Sequence, residues 1–105
     1  MKSKDASSQE KNKLLSQLTR AAFWNVNFDK LDYLLHKKLI IERIIDYGLE
    51  NDEIIMWKMY PYKDIKKVAL NMENLHGEII AYMSLVLNVK EKKFKCYGKK
   101  QWYQK

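Results

Sequence analysis

The chain has 105 residues, of which 47% are hydrophobic and 31% charged, a balance that fits one small globular domain and excludes a disordered chain. Three glycines and one proline are few for a turn-rich β fold, so the composition favours helices. The formal net charge is +7, and residues 90–105 supply most of it with seven lysines against one glutamate.

The cysteine content and the apolar runs bear on the compartment of the protein. A single cysteine, Cys96, cannot form an internal disulfide, so nothing in the sequence indicates an oxidising compartment. Residues 1–13 are polar and lack the apolar region of a signal peptide. The longest apolar run, residues 79–87, is too short to span a membrane. We therefore expect a cytoplasmic protein that does not bind membranes.

The first 22 residues divide into a polar part and a part with helical spacing. Residues 1–12 contain lysines and serines without apolar periodicity, which predicts a flexible polar leader. Leucines and alanines then recur at helical spacing and predict a helix over about residues 10–22. We place the helical domain at residues 13–97 and a basic, aromatic tail at residues 98–105.

An alternating segment follows this helix. Trp24, Val26 and Phe28 alternate with polar residues, and this period of two predicts a short extended strap that buries its apolar side. Two carboxylates follow, Asp29 and Asp32. A calcium loop needs several more spaced oxygen ligands, so we interpret one of these aspartates as the cap of a helical turn.

The next helix is predicted over about residues 35–47 by a wide apolar stripe. Glu42 and Arg43 lie on its polar face, and Glu42 can pair with Lys38 one turn earlier. Gly48 stands where a helix often ends on a left-handed residue, and we predict that conformation for it.

Three further helices are predicted in the second half of the chain. One starts at Glu50 or Asn51 and ends before Pro61, a second covers residues 62–70, and a third covers about residues 75–88. The third is apolar on nearly all sides, so it lies in a core or at a partner interface. The residues expected at such an interface are Ile79, Ile80, Tyr82, Met83 and Val86.

These elements predict an all-α fold, a single small domain of about five helices with one extended strap and a basic C-terminal tail. No enzyme chemistry is legible. The two histidines, His36 and His76, are forty residues apart, and the chain has no glycine-rich phosphate loop, metal-ligand spacing or serine elbow. We therefore expect no catalytic residue, no metal, no cofactor and no enzymatic activity.

Nucleic-acid binding is a second hypothesis. Residues 62–88 have the size of a helix-turn-helix, although the second helix offers few polar side chains to base edges. The tail interleaves lysines with aromatic residues, which suits phosphate contact and base stacking, packing against the core, or binding an acidic protein. The residues expected to contact nucleic acid are Lys92, Lys93, Lys95, Lys99, Lys100 and Trp102.

Two segments resemble a family of short bacterial domains of unknown function. One is FWNVNFDKLD, residues 23–32, and the other is LIIERIIDYG, residues 39–48. Residues 65–68 and 94–96 also resemble landmarks of the family, so the resemblance covers about residues 20–97. The residues that carry its pattern are Trp24, Phe28, Asp29, Asp32, Glu42, Arg43 and Gly48.

The resemblance implies a role as a partner protein. Members of the family are often encoded beside nucleotidyltransferase-like toxins of the abortive-infection type, and they offer no catalytic residues to carry over. We therefore expect a non-enzymatic interaction module, antitoxin-like or an accessory partner of a toxin or defence enzyme. The alternative is a small DNA-binding regulator that uses residues 62–88 and the basic tail. A homodimer is compatible with either function.

Overall fold

Five α-helices and four short 3₁₀ turns make up the computed structural model, which describes the backbone of residues 2–98 and the side chains of residues 9–97. No strand occurs within residues 2–98, and the predicted all-α class is confirmed. The chain forms two compact units, Met1–Pro61 and Tyr62–Lys105. We call them the first and the second unit.

Three α-helices and two 3₁₀ turns build the first unit. The helices are α1 (Lys2–Leu15), α2 (Lys37–Tyr47) and α3 (Glu50–Met59), and the turns are Arg20–Phe23 and Phe28–Lys30. Both α1 and α2 pack against α3. The apolar interior of this unit includes Leu15, Leu18, Phe23, Phe28, Ile40, Ile41, Ile44, Ile55, Met56 and Met59, all nearly inaccessible to solvent.

The helix predicted over residues 10–22 is present only in part, because α1 begins at Lys2 and ends at Leu15. Its early turns are polar and carry no apolar periodicity, so the pattern could not reveal them. After Leu15 the chain leaves the helix, and the Leu18 N–H donates to the Leu15 carbonyl at 3.1 Å. Leu18 and Ala22 are still buried, since turns bring them inward without a helix. The backbone is helical from Lys2 onward, and the flexible leader over residues 1–12 stays a prediction.

The prediction of an extended strap over residues 24–28 is wrong. Two 3₁₀ turns flank residues 24–27, and they bury Phe23 and Phe28 with ring centroids 5.4 Å apart. Trp24 is 60% exposed instead of buried. The period of two misled the prediction, because turns rather than a pleated strand decide which of these aromatic side chains face the interior.

Gly48 ends α2, but not as a left-handed residue. Its backbone is extended, with φ −74° and ψ 161°, and its N–H donates to the Ile44 carbonyl at 2.9 Å. A Cβ at this position would lie 2.6 Å from the Ile44 carbonyl oxygen. Glycine is therefore required by close backbone approach and not by a positive φ. Asn88, with φ 58°, is the left-handed residue that the described backbone contains.

The second unit contains α4 (Tyr62–Leu70) and α5 (Gly77–Leu87), followed by 3₁₀ turns at Glu91–Lys93 and Lys95–Gly98. The bounds predicted for α4 are confirmed, and α5 is slightly shorter than predicted. The two helices pack together, and their buried side chains include Ile65, Ala69, Ile80, Met83 and Leu87. Phe94 and Cys96 are also buried. None of the helices in the described range is long and apolar enough to cross a membrane.

A left-handed cap ends α5. The N–H of Asn88 donates to the Leu85 carbonyl, and the N–H of Val89 reaches back to the Ser84 carbonyl at 3.0 Å. This pair of bonds satisfies carbonyls that the last helical turn would otherwise leave without donors. The Tyr62 hydroxyl donates to the Leu87 carbonyl and ties the start of α4 to the end of α5. The last turn of α5 is thus held from two sides.

Candidate protein-interaction surfaces

An exposed aromatic group stands on the first unit. The Trp24 indole lies 4.4 Å from the Arg43 guanidinium carbon, measured to the ring centroid, and the Tyr47 ring meets it edge-on with centroids 4.8 Å apart. Tyr47 is also more than half exposed. We call Trp24, Arg43 and Tyr47 the Trp24 cluster. A cation above the indole face and an edge-on ring are both favourable arrangements for aromatic groups.

Hydrogen bonds hold Arg43 in place. One guanidinium nitrogen donates to the Ala22 carbonyl at 3.1 Å, and the other donates to the side-chain oxygen of Asn25. Arg43 and Tyr47 are four residues apart on α2 and therefore share a face of the helix. Arg43 thus connects α2 to the 3₁₀ turn Arg20–Phe23, which directly precedes Trp24, and it holds the indole in place.

The predicted aspartates have separate structural roles. Asp29 pairs with Arg20 at 3.0 Å, and that hydrogen bond and the Arg20 charge lower the pKa of the Asp29 carboxyl. Both side chains are largely exposed, so the pair contributes little to stability. Within the described part of the chain, no three His, Cys, Asp or Glu side chains lie together in a group that could hold a metal ion.

Asp32 caps the turn at residues 33–36, as predicted for one of the two aspartates. One carboxylate oxygen accepts the N–H groups of Leu34 and Leu35, each at 3.0 Å, and these bonds lower the pKa of the Asp32 carboxyl. In return the Asp32 N–H donates to His36 Nδ1 at 2.9 Å. His36 is therefore part of a turn, and the two leucines of that turn are exposed, Leu35 to 82%.

Side chains from α1 and from the residue after α3 hold this turn. The Tyr33 N–H donates to the Asn12 side-chain oxygen of α1 at 2.9 Å, and the Tyr60 hydroxyl donates to the Tyr33 carbonyl at 2.7 Å. Burial raises the pKa of the Tyr60 hydroxyl well above its usual value, which keeps this donor protonated. The turn is thus fixed by α1 and by the residue that follows α3.

Asp52 is a buried polar residue whose role the sequence analysis missed. Its carboxylate accepts the Leu49 N–H at 2.8 Å and the Thr19 N–H at 2.9 Å, and its side chain is almost fully buried. Asp52 stands three residues after Leu49, the residue that precedes α3, and an acid at that position is half of a capping box. The sequence therefore contained a signal for this capping role. The two backbone bonds satisfy the carboxylate and make it a structural group.

The predicted interface residues on α5 do not share one environment. Ile80 and Met83 are buried in the interior, whereas Ile79 and Val86 are half-buried. The two most exposed apolar side chains of α5 are Tyr82, at 50%, and Leu85, at 80%. Leu85 was missed, because a helix that is apolar all round does not reveal which side faces outward. The interface role stays a prediction.

The residues predicted to contact nucleic acid are only partly described. Lys92 and Lys93 are exposed on the turn after α5, and Lys95 pairs with Glu73 at 2.6 Å. Lys99, Lys100 and Trp102 lie outside the described residues. The two helices of the predicted helix-turn-helix are present, but α5 contains no lysine or arginine. DNA binding stays a prediction.

The Trp24 cluster and the Asp32 turn fall in a stretch that has relatives. Residues 18–69 match the Family of unknown function (DUF6922). The chain is therefore similar to a family of unknown function, as predicted, over a shorter range than the expected residues 20–97. The landmarks at residues 94–96 and all of α5 lie outside the match. No curated protein and no solved structure matches the chain.

Proposed function

We propose that the chain is a non-enzymatic protein-interaction module that binds its partner through the Trp24 cluster. The observation that supports this function is the exposed Trp24 indole stacked against Arg43. Tryptophan, tyrosine and arginine are the residue types that dominate binding free energy at protein interfaces. The cluster brings all three into mutual contact at the surface.

Preorganisation favours the same function. The bonds from Arg43 to Ala22 and Asn25 fix the guanidinium, and the guanidinium and Tyr47 fix the indole. Side chains that are already ordered lose little conformational entropy on binding. A partner that covers Trp24 therefore gains most of the free energy of burying the indole.

The groups of the cluster itself define the chemistry of the partner, because the Arg43 guanidinium lies over the exposed Trp24 indole. We propose a folded protein that covers the indole with an apolar side chain and places a hydrogen-bond acceptor near the guanidinium. Binding of this kind depends mainly on buried area, so it persists at high salt.

A more specific proposal concerns the identity of the partner. We propose a toxin or defence enzyme encoded nearby, with this chain as its antitoxin-like or accessory subunit in the cytoplasm. The support is the resemblance of residues 23–32 and 39–48 to domains encoded beside such toxins. The proposal adds no catalytic role for this chain.

The experiment captures partners from the source organism with an N-terminally tagged chain, washed at low and at high salt. Captured proteins are purified, and their affinity is measured by calorimetry for the wild type, for Trp24→Ala and for Leu35→Ala. Leu35 is the matched control, because it is an exposed apolar residue of the same unit. We expect Trp24→Ala to weaken binding about 30-fold or more and Leu35→Ala to leave it unchanged.

Two outcomes would overturn the proposal. Equal affinities of the two variants would place the partner on another surface, and capture of no protein would remove the interaction function. Nucleic acid that elutes between the two salt concentrations would favour the DNA-binding alternative, since phosphate contacts weaken steeply with salt. A captured protein encoded far from this gene would contradict the antitoxin-like role alone.

A further inference from the structure

We infer that α5 pairs with α5 of a second copy of this chain, in antiparallel orientation. This inference goes beyond the proposed function, because it uses a different surface. The surface consists of Tyr82 and Leu85, with Glu78 at one end and Lys90 at the other, and we call it the α5 face.

The exposed apolar side chains of α5 form one stripe. Glu78, Tyr82 and Leu85 follow each other at spacings of four and three residues, which places them on the same side of the helix. All three are exposed, and Leu85 is 80% exposed on a helix whose opposite side is buried in the second unit. Tyr82 and Leu85 adjoin the half-buried Ile79 and Val86, which lie three and four residues from Tyr82, and a contiguous exposed apolar patch marks a surface where a partner fits.

The distribution of charge specifies what that partner is. Residues 79–89 contain no charged side chain, so the partner must be apolar along the middle of the α5 face. Charges occur only at the two ends, where Glu78 lies in the first turn and Lys90 follows the C-terminal cap. The partner must therefore carry a cation at one end, an apolar centre and an anion at the other end.

A second copy of the same helix meets this description. Tyr82 and Leu85, the two exposed apolar side chains, lie on either side of the middle of the α5 face, and Glu78 and Lys90 lie at its two ends. A two-fold axis between Tyr82 and Leu85 places Tyr82 of each copy against Leu85 of the other, and it brings Glu78 of each copy to the end of the helix that Lys90 follows in the other. A parallel pair would instead place Glu78 against Glu78. The antiparallel arrangement is the one in which the charges are complementary.

The size of the surface defines the strength of the dimer. The helix has 11 residues, so the contact is shorter than that of most stable dimers. We expect a dissociation constant on the order of 100 μM. The dimer is thus an assembly that forms at high local concentration.

The test is sedimentation equilibrium of the full chain at low salt, over concentrations that bracket that dissociation constant. We expect the mass to rise from 12.7 kDa towards twice that value. Leu85→Glu should keep the mass at the monomer value, with an unchanged circular dichroism spectrum. Leu35→Glu is the matched control, since Leu35 and Leu85 are about equally exposed, and it should associate like the wild type.

Charge reversal tests the orientation. Glu78→Lys or Lys90→Glu alone brings like charges together at both ends of the pair and should weaken the dimer about 10-fold. The double variant Glu78→Lys/Lys90→Glu restores opposite charges and should recover the affinity of the wild type. The inference is overturned by a monomer at every concentration, by equal effects of Leu35→Glu and Leu85→Glu, or by a double variant as weak as the single ones.

Discussion

The Trp24 cluster and the α5 face both expose large apolar side chains, but their surroundings differ. Arg43 donates hydrogen bonds to Ala22 and Asn25 and lies over the Trp24 indole, so polar groups fix the aromatic surface. Around Tyr82 and Leu85, eleven consecutive residues carry no charge. The comparison teaches that exposure alone does not define a partner. At the Trp24 cluster, hydrogen bonds fix the geometry of the exposed side chains, whereas at the α5 face the charges at the two ends are what favour an antiparallel copy.

The two surfaces also differ in their relatives. The Trp24 cluster lies within residues 18–69, which match a family of unknown function, and the α5 face lies outside that match. We therefore expect the interaction through Trp24 to be shared with proteins of the family that this stretch matches. Association through α5 is the property that we expect to be particular to this chain.

The largest expected effect is a difference in stability between variants of two adjacent residues, the buried Phe23 and the exposed Trp24. Phe23→Ala should destabilise the protein by about 3–5 kcal/mol, because its ring is buried against Phe28. Trp24→Ala should cost only about 1 kcal/mol, since most of its indole remains in water. Urea unfolding of both variants measures the difference. A loss of several kcal/mol for Trp24→Ala would mean that the indole is a core group and not a binding surface.

The next prediction compares how much Arg43 of the Trp24 cluster and Leu85 of the α5 face contribute to stability. Arg43→Met should destabilise by about 1–2 kcal/mol, because it leaves the Ala22 carbonyl without its guanidinium donor and removes the cation over Trp24. Leu85→Ala on α5 should stay within about 0.5 kcal/mol of the wild type. Thermal unfolding at concentrations where the chain is a monomer measures both variants. Equal losses of stability in the two variants would contradict the structural role that we assign to Arg43 at the Trp24 cluster.

Gly48 positions the end of α2, next to Tyr47. Gly48→Ala should destabilise by about 1–2 kcal/mol, because its Cβ would approach the Ile44 carbonyl oxygen to 2.6 Å unless the chain shifts. Substitution of Asn88, which has a positive φ, by glycine should instead be neutral or slightly stabilising. Unfolding midpoints test this pair. A neutral Gly48→Ala would show that the backbone after α2 moves easily.

The smallest effect concerns pH and the Asp32 turn. The pKa of Asp32 is lower in the folded chain than its ordinary value of 3.8, so its contribution to stability is present above about pH 4 and is lost as pH falls through the folded pKa. Asp32→Asn keeps a neutral acceptor oxygen at every pH. Its stability should therefore fall less than that of the wild type between about pH 4 and pH 2. Acid titration of the circular dichroism signal compares the two, and parallel curves would contradict the assignment.

Helices were predictable wherever apolar residues recur at helical spacing on one side. The bounds of α4 follow from Ile65 and Ala69 facing inward between lysines, and Pro61 separates α4 from α3. Residues 2–9 of α1 have no apolar side to reveal them. The spacing of Trp24 and Phe28 predicted the wrong conformation, because 3₁₀ turns also bring apolar residues inward at short intervals.

The candidate surfaces were less accessible from sequence than the fold. The sequence contains Trp24, Arg43 and Tyr47, but their contact depends on a turn that brings Trp24 onto α2. Gly48 was identified at the right position for the wrong reason, since close approach and a positive φ both select glycine. Leu85 was hidden in an apolar helix whose outward side depends on what packs against it.

The Asp32 turn has a consequence for limited proteolysis. Leu34 and Leu35 are accessible side chains of the kind that chymotrypsin and thermolysin cleave beside, yet a protease must draw several residues into an extended conformation. Here the N–H groups of Leu34 and Leu35 are bound to Asp32, and Tyr33 is bound to α1 and to Tyr60. Cleavage at this site therefore has to wait for the turn to open. Its rate at low protease concentration measures the free energy of that local opening, at a single peptide bond and without a label.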